Sequence, residues 1–521
     1  MPDCCPLLSL SLAADWLTHP AVRWPLTGLY ILVLLLIAIY GLHRYWLVYL
    51  YYRNRRHAVG DPPHRFDELP RVTVQLPMFN EQHVAERIID AACLLDYPQD
   101  KLQVQVLDDS TDASADIAAA RCDHWRQRGV DIEYLHRADR TGFKAGALDA
   151  AMEHVTGDII AIFDADFVPP PEFLHQTVHH FTEQEVGMVQ ARWDHLNRDD
   201  SMLTRSQAIF LDGHFVIEHA ARNRSARWIN FNGTAGLWRR EAIDSAGGWH
   251  HDTLTEDVDL SYRAQMKGWR FVFLPLVTCP AELPPEINAF KSQQHRWTKG
   301  SIQTAIKLLP KVLRSRASLG VKVEAFFHLT SPMVYLYVTL MALLFYPAFY
   351  VNMQPFENDT AAAVVWGMTL FALGTASAGA FYIASQKAQQ RSVWLTIGQL
   401  PILMSIGIGI ALNNARGVIE ALVGHQSDFI RTPKYNTLGG KRPPLRVPSI
   451  KIWMSVLEIV LGVYSLNCAR LAFIGDDTLI SVPFLLLFAS GYLYVGLTGL
   501  WNQLAAPRAQ AGVPTFSGHA Q

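Results

Sequence analysis

Charge, cysteine and nucleotide-loop glycines are all scarce in this chain. Only 18% of its 521 residues are charged, against about 25% in soluble globular domains, which excludes a uniformly water-soluble protein. Half of the residues are hydrophobic, so a disordered chain is excluded too. The 45 Lys and Arg nearly cancel the 47 Asp and Glu, for a net charge of −2. That balance removes the basic footprint of a nucleic-acid binder. So many ionised side chains must nevertheless lie in water somewhere, and a pure membrane bundle is excluded as well. The 6 cysteines (Cys4, Cys5, Cys93, Cys122, Cys279, Cys468) form no C-x-x-C pair and no Cys/His cluster. They argue against a disulfide scaffold or a zinc site and read as small buried hydrophobes. No Gly-x-Gly-x-x-Gly follows the first strand-like run, which disfavours a dinucleotide cofactor. What remains is a hybrid of one water-soluble block and several membrane segments.

The apolar runs place the membrane. Residues 26–42 (LTGLYILVLLLIAIYGL) carry no charge and lead into His43, Arg44, Tyr45, Trp46 and a group of tyrosines. At about 1.5 Å per residue, and extended by interfacial aromatics, this run can cross about 30 Å of hydrocarbon. Its basic residues mostly follow the apolar stretch, unlike those of a secretory signal. Further spans are predicted at 326–350, 362–385, 452–474 and 479–501. Arg53, Arg55 and Arg56 put the central block on the cytoplasmic side, as do Lys387, Arg391, Arg431, Lys434, Lys441, Arg442 and Arg446 for the later loops. Both ends of 393–412, a segment with Pro401 and three glycines, then lie on one side. The expectation is an interfacial or re-entrant helix that does not cross, leaving about five crossings.

Between about residues 70 and 309, strand-like and helix-like patterns alternate. VTVQL (72–76), LQVQVL (102–107), 132–136 and DIIAIF (158–163) read as strands separated by helical stretches. Such alternation predicts a mostly parallel sheet covered on both faces, with ligands at the carboxyl ends of its strands. Two acidic clusters, Asp108-Asp109 and Asp164-Ala165-Asp166, fall at those ends. Paired hard oxygen ligands at a strand end suit Mg²⁺ or Mn²⁺ bridged to phosphates. Asp108 or Asp109 could accept hydrogen bonds from a nucleotide base, or shape a helix-capping turn. Asp257, in Thr255-Glu256-Asp257, could serve as a general base or simply complement a helix dipole. In Gln293-Gln294-His295-Arg296-Trp297, Gln293 and Trp297 are i,i+4 neighbours on a helix.

In order along the chain, LPMFNE (76–81), VLDDSTD (106–112), RTGFKAGAL (140–148), DAD (164–166), FNGTAGLWRR (231–240), TED (255–257) and QQHRW (293–297) resemble the family 2 membrane glycosyltransferases. The likeness is to the cellulose-synthase-like type that makes mannan, glucomannan or glucan. FIRTPK (429–434) resembles the family's F-x-V-T-x-K gating loop, with Arg431 in place of Val. The resemblance implies an α/β GT-A (Rossmann-like) glycosyltransferase domain, cytoplasmic and inserted in a helical transmembrane region. The expected division is 1–52 with the first span, 53–316 as the catalytic domain, 317–505 as the membrane region with the interface helix 393–412 and gating loop 425–448, and 506–521 as a tail.

The resemblance also implies roles. Asp108, Asp109, Lys144, Asp164, Asp166, Gln293 and Arg296 would bind a nucleotide-sugar, UDP-glucose or GDP-mannose, with Asp164 and Asp166 holding Mg²⁺ or Mn²⁺. Asp257 would be the catalytic base. Trp297, Phe231, Asn232, Gly233, Thr234 and Glu256 would meet the acceptor, and Phe429, Thr432 and Lys434 would form the gate. The implied product is a β-glycan, β-1,4-linked mannan or glucan, extended processively at its non-reducing end and passed across the bilayer. The alternative is single transfer to a lipid acceptor. Either way the protein is expected to be integral to a plasma or inner membrane.

Overall fold

The computed structural model describes residue 17, residues 19–350, 366, 369–370, 372–425, 432, 434, 436, 451–474 and 481–505. Seven strands form one sheet: β1 (Val72–Met78), β2 (Leu102–Asp108), β3 (Asp131–His136), β4 (Ile159–Ile162), β5 (Val186–His195), β6 (Gly236–Arg239) and β7 (Arg270–Ala281). Their order is β3-β2-β1-β4-β6-β5-β7. The first four strands pair in parallel, as the alternation predicts. β6 runs antiparallel to both β4 and β5, so the second half of the sheet is mixed. That half was not legible in advance, because Gly187, Pro275 and Pro280 interrupt the patterns of β5 and β7.

Around the sheet lie α1 (Pro20–Arg53), α2 (Ala85–Cys93), α3 (Ser114–Arg126), α4 (Phe143–Ala151), α5 (Met202–Asp212), α6 (Glu256–Met266) and α7 (Ile287–Arg314). Beyond it follow α8 (Leu319–Thr330), α9 (Met333–Tyr350), α10 (Ser377–Ala388), α11 (Val393–Gly409), α12 (Ala411–Leu422), α13 (Ile452–Ile474) and α14 (Val482–Ala505). Strand side chains alternate between two cores. Val72, Val74, Val104, Ile159 and Ala161 pack with Ile88 and Ile89 of α2. Ile160 and Ile162 face Ala147 and Leu148 of α4, Trp238 and Leu260 on the other side. Buried amides pin the register of β1 on β2: the Thr73 hydroxyl donates to Gln103 Oε1 at 2.7 Å, and Gln75 Nε2 donates to Gln105 Oε1 at 3.1 Å. A one-residue slip would strand these groups in the core, where an unmade hydrogen bond is costly. Cys93, Cys122, Cys279 and Cys468 are free thiols, the last three buried; Cys4 and Cys5 lie outside the described residues.

Among the described helices, α1, α13 and α14 are long and apolar enough to cross a membrane. The number rises to five if two bent pairs each count as one span, α8 with α9 (54°) and α11 with α12 (40°). The segment expected to lie at the interface is thus α11 and the start of α12. The span expected at 362–385 is only partly described, and its described part enters α10 through a π-helical turn, Ala372–Ala376. α1 continues well past residue 42 and ties to α8 through Tyr40 Oη–Thr330 Oγ1 (2.8 Å) and His43–Glu324 (3.1 Å). α11, α13 and α14 approach through small residues, as apolar helices do where no water drives them together. A Cβ at Gly491 would run into the Ser405 carbonyl, and one at Gly409 into the Gly491 carbonyl. Gly491→Val is therefore expected to destabilise by about 1–3 kcal/mol through overpacking, read as a lower melting temperature of the detergent-purified protein; Leu497→Ala, at an exposed position on the same helix, should melt like the parent.

Candidate active site

The carboxyl ends of the parallel strands β1, β2 and β4 lie side by side, and local backbone chemistry sets each group there. After β4, the Asp164 amide donates to Thr234 Oγ1 at 2.9 Å, so the loop 231–234 holds the acidic pair. Gly142, at φ 75°, turns the chain into α4 and places Lys144 in its first turn. Lys144 Nζ then reaches Asp164 Oδ1 (2.5 Å) and the Gly233 carbonyl (2.7 Å), with Glu256 4.0 Å away. Burial pulls this ammonium down, but Asp164 and Glu256, helped by Asp257, carry it above the usual lysine value. Lys434 Nζ sits 2.7 Å from Asp166 Oδ1 and 3.5 Å from Glu81 Oε1. Two ammonium groups thus balance the two carboxylates of the D-x-D pair.

Asp257 lies in the first turn of α6, where its Oδ1 accepts the Val258 amide at 2.8 Å. Burial first, and then the charge of Glu256, push its carboxyl up to about 7. Burial likewise raises Glu256, opposed by Lys144. Gly233 takes φ 79°, and a Cβ there would lie 3.1 Å from Asp257 Oδ2. Only glycine lets the loop pass this close in a left-handed conformation. From α7, Arg296 projects into the same field: burial lowers its guanidinium, while Glu256, Asp164, Asp166 and Asp257 oppose the shift. Trp297 sits beside Trp193 (6.3 Å between ring centroids), which in turn meets Phe167 and Phe215 at 5.2 Å each. Gln293 lies one turn before Trp297 and is half-buried.

Several expected roles change. Asp108 is fully enclosed; its oxygens accept the Ser110 amide (2.9 Å) and the Tyr134 hydroxyl (2.7 Å), so it braces the turn after β2. Asp109 is gripped by Arg137 through two bonds of 2.8 and 2.6 Å. Arg137 was missed, although it is the residue directly after β3, a position that parallel-sheet logic singles out. Phe231 is buried edge-on against Trp238 and Thr234 is wholly enclosed, so neither side chain lines an acceptor path. Asn232 is half-buried and held by His214 Nε2 (2.8 Å) and His219 Nε2 (3.0 Å). Those histidines come from a π-helical turn, Gly213–His219. Thr432 is buried; Phe429 and Arg431 lie outside the described residues.

α7 is ionic on a second face. Lys291, His295 and Lys299 recur every four residues, the stripe of one helix side. Lys291 pairs with Glu458 of α13 at 2.7 Å, both side chains wholly enclosed. His295 (3.2 Å) and Lys299 (3.1 Å) share Glu420 of α12, which also takes Arg416 at 2.7 Å. Elsewhere, His250, Asp252 and Asp259 converge as metal ligands might. Lys307 fills that cluster, with Nζ 2.6 Å from Asp252, 2.8 Å from Asp259 and 3.2 Å from His250. The D-x-D pair fits a divalent cation better: its donors are hard oxygens at a strand end, and lysines balance their charge.

Comparison with known proteins agrees with the order of motifs. Residues 70–300 match the family described as "Glycosyltransferase like family 2". Glucomannan 4-beta-mannosyltransferase 7 of Arabidopsis thaliana is 34% identical over 454 residues, covering 82% of this chain and 77% of the relative. Glucomannan 4-beta-mannosyltransferase 1 of Oryza sativa subsp. japonica is 42% identical over 261 residues, covering 49% of this chain and 50% of the relative. Among solved structures, a mannosyltransferase from Pyrobaculum calidifontis in complex with GDP-Man and Mn²⁺ superposes with a TM-score of 0.50. It is 22% identical and covers 70% of this chain and 99% of its own; at that identity the likeness is one of fold.

The enclosed Lys291–Glu458 pair yields a clear double-mutant expectation. Lys291→Met alone should cost about 3–5 kcal/mol by leaving Glu458 buried without its partner, whereas Lys291→Met with Glu458→Leu should be near neutral. Thermal unfolding of the purified variants measures both, and additive losses would show that the two residues do not act as a pair.

Proposed function

The chain belongs to glycosyltransferase family 2, and we propose that it is an inverting, processive β-glycosyltransferase extending a glycan at its non-reducing end. Its soluble block is a GT-A-like mixed sheet of seven strands. The observation that carries the mechanism is a carboxyl group held near neutrality, Asp257, between a donor-type acidic pair and a helix bearing Arg296 and Trp297. The names of the two plant relatives turn the choice of transferred sugar towards mannose and of linkage towards β-1,4; of the two donors weighed, GDP-mannose is the one that carries that sugar.

In this reading Asp164 and Asp166 would hold a Mg²⁺ or Mn²⁺ ion, which would supply positive charge for the departing nucleoside diphosphate. Arg296 adds a fixed cation for the same phosphates. Lys144 keeps Asp164 and the Gly233 carbonyl in place while facing Glu256. The Asp109–Arg137 pair borders the nucleotide end of the pocket at β2 and β3. Asp257 Oδ2 takes the proton of an acceptor hydroxyl as that oxygen attacks the anomeric carbon from the face opposite the leaving group. One displacement turns an α-linked donor into a β-linked product, with no covalent sugar–enzyme intermediate. Trp297 and Trp193 offer flat apolar faces on which a sugar ring can rest without being locked. The helices beyond α7 then form the route by which the product leaves across the bilayer.

The near-neutral carboxyl predicts the pH profile. Asp257 acts only when ionised, so kcat/KM should fall about tenfold per pH unit below about 7 and level off above it. Asp257→Asn should retain donor binding by calorimetry while turnover drops by about a hundredfold or more. Full activity in that variant would remove Asp257 as the base. Reconstituted protein given GDP-mannose or UDP-glucose with Mn²⁺ should polymerise mannose into material cut by a β-1,4-mannanase. A product extracted only as a monoglycosylated lipid would instead establish single transfer.

A further inference from the structure

At the catalytic-domain end of α1, a cavity of about 570 Å³ opens between that helix and the turn after residue 223. Its lining includes Trp46, Tyr49, Arg53 and His57 on one wall and Arg224 and Arg227 on the other. Among the described residues, no carboxylate lines it. The contrast with a near neighbour is sharp: Arg222 is held by Glu324 at 3.0 Å and Glu218 at 3.7 Å. Arg224 instead lies 4.7 Å over the Tyr51 ring. Arg227 donates from Nη1 to the Ser225 carbonyl at 3.0 Å, while its Nε is buried with no hydrogen-bond partner among the described residues. Guanidinium groups gathered around a cavity without a counter-charge call for an anion, and their planar fork suits phosphate.

The outer face of α1 indicates what carries that phosphate. Leu29, Leu32, Leu35, Ile39, Leu42, Trp46 and Tyr49 are all exposed, and they recur every three or four residues. This spacing makes one apolar stripe along the helix, and it runs directly into the cavity. Trp46 and Tyr49 stack at its mouth, 5.3 Å between centroids, where amphipathic rings mark the level of lipid headgroups. An apolar stripe of about 30 Å, at 1.5 Å per residue, ends in interfacial aromatics and then in three arginines. That sequence matches an acyl chain, a glycerol region and a phosphate in turn.

We propose that this cavity binds the headgroup phosphate of an anionic glycerophospholipid, with one acyl chain laid along the α1 stripe. The site depends on α1 spanning the membrane and not on the proposed transfer chemistry. Bound there, the lipid would bridge the first span to the catalytic domain through Arg53 on one side and Arg224 and Arg227 on the other.

Native mass spectrometry of the full chain in detergent tests this, with phosphatidylglycerol or phosphatidylcholine of matched acyl chains added. The parent should retain one phosphatidylglycerol at least tenfold more tightly than phosphatidylcholine. Arg53→Gln/Arg224→Gln/Arg227→Gln should lose that preference, the corresponding triple Lys variant should keep most of it, and Arg224→Gln alone should weaken it, which guards against a fold defect in the triple variant. Millimolar inorganic phosphate should not displace the lipid. Equal retention of the two lipids by the parent would overturn the proposal. So would an undiminished preference in both Gln variants, or displacement by inorganic phosphate, which would make the cavity a site for the free anion.

Discussion

Buried charge has to be paired, and helix α7 meets that requirement on two sides at once. Towards the sheet, Arg296 lies in the field of Asp164, Asp166, Glu256 and Asp257. Towards the membrane helices, Lys291 and Lys299 are enclosed against Glu458 and Glu420. An unpaired charge at either enclosed position would cost several kcal/mol. The helix therefore has little freedom to rotate or slide, and the placement of Arg296 and Trp297 over the β4 end follows from it. Coupling between the catalytic block and the membrane region is built into this one element.

The pocket itself is organised by the pairing of cations with carboxylates. Lys144 and Lys434 neutralise Asp164 and Asp166 at 2.5 and 2.7 Å. In the proposed reaction Asp164 and Asp166 would hold a divalent cation, which would supply positive charge beside that of Lys434 for the diphosphate. Arg87 joins the same region, donating to Glu282 at 2.5 Å, to Asn436 at 3.1 Å and to the Asp166 carbonyl at 3.3 Å. Arg87 of α2, Glu282 just after β7, Lys434 and Asn436 are thus linked around a single aspartate. Burial, and then the charge of Glu256, raise Asp257, and Lys144 is the cation that works against that rise.

Much of the fold was legible in one dimension. Residues such as Val72, Val74 and Val104 alternate cleanly because their strands are buried on both faces, and the acidic clusters stand out because they end those runs. The antiparallel β6 was not legible, since four residues, Gly236–Arg239, carry no periodic signal. Among the site residues, Lys144, Asp164, Asp166, Asp257 and Arg296 do converge. The enclosure of Asp108 and Phe231 was not legible for one shared reason: their motifs are local, while the groups that enclose them, Tyr134 and Trp238, come from other strands.

Composition and order of motifs alone determined the kind of protein: a family 2 glycosyltransferase block set among apolar helices. Those properties are additive along a chain and need no partner to be read. The tertiary structure decided which carboxylate is raised by burial, which aspartate is enclosed in a turn, and which arginines line a cavity with no carboxylate among the described residues. Each of these depends on distance and burial, and the residues that settle them, such as Gly233 beside Asp257 or Arg53 across a cavity from Arg224, are brought together only by folding.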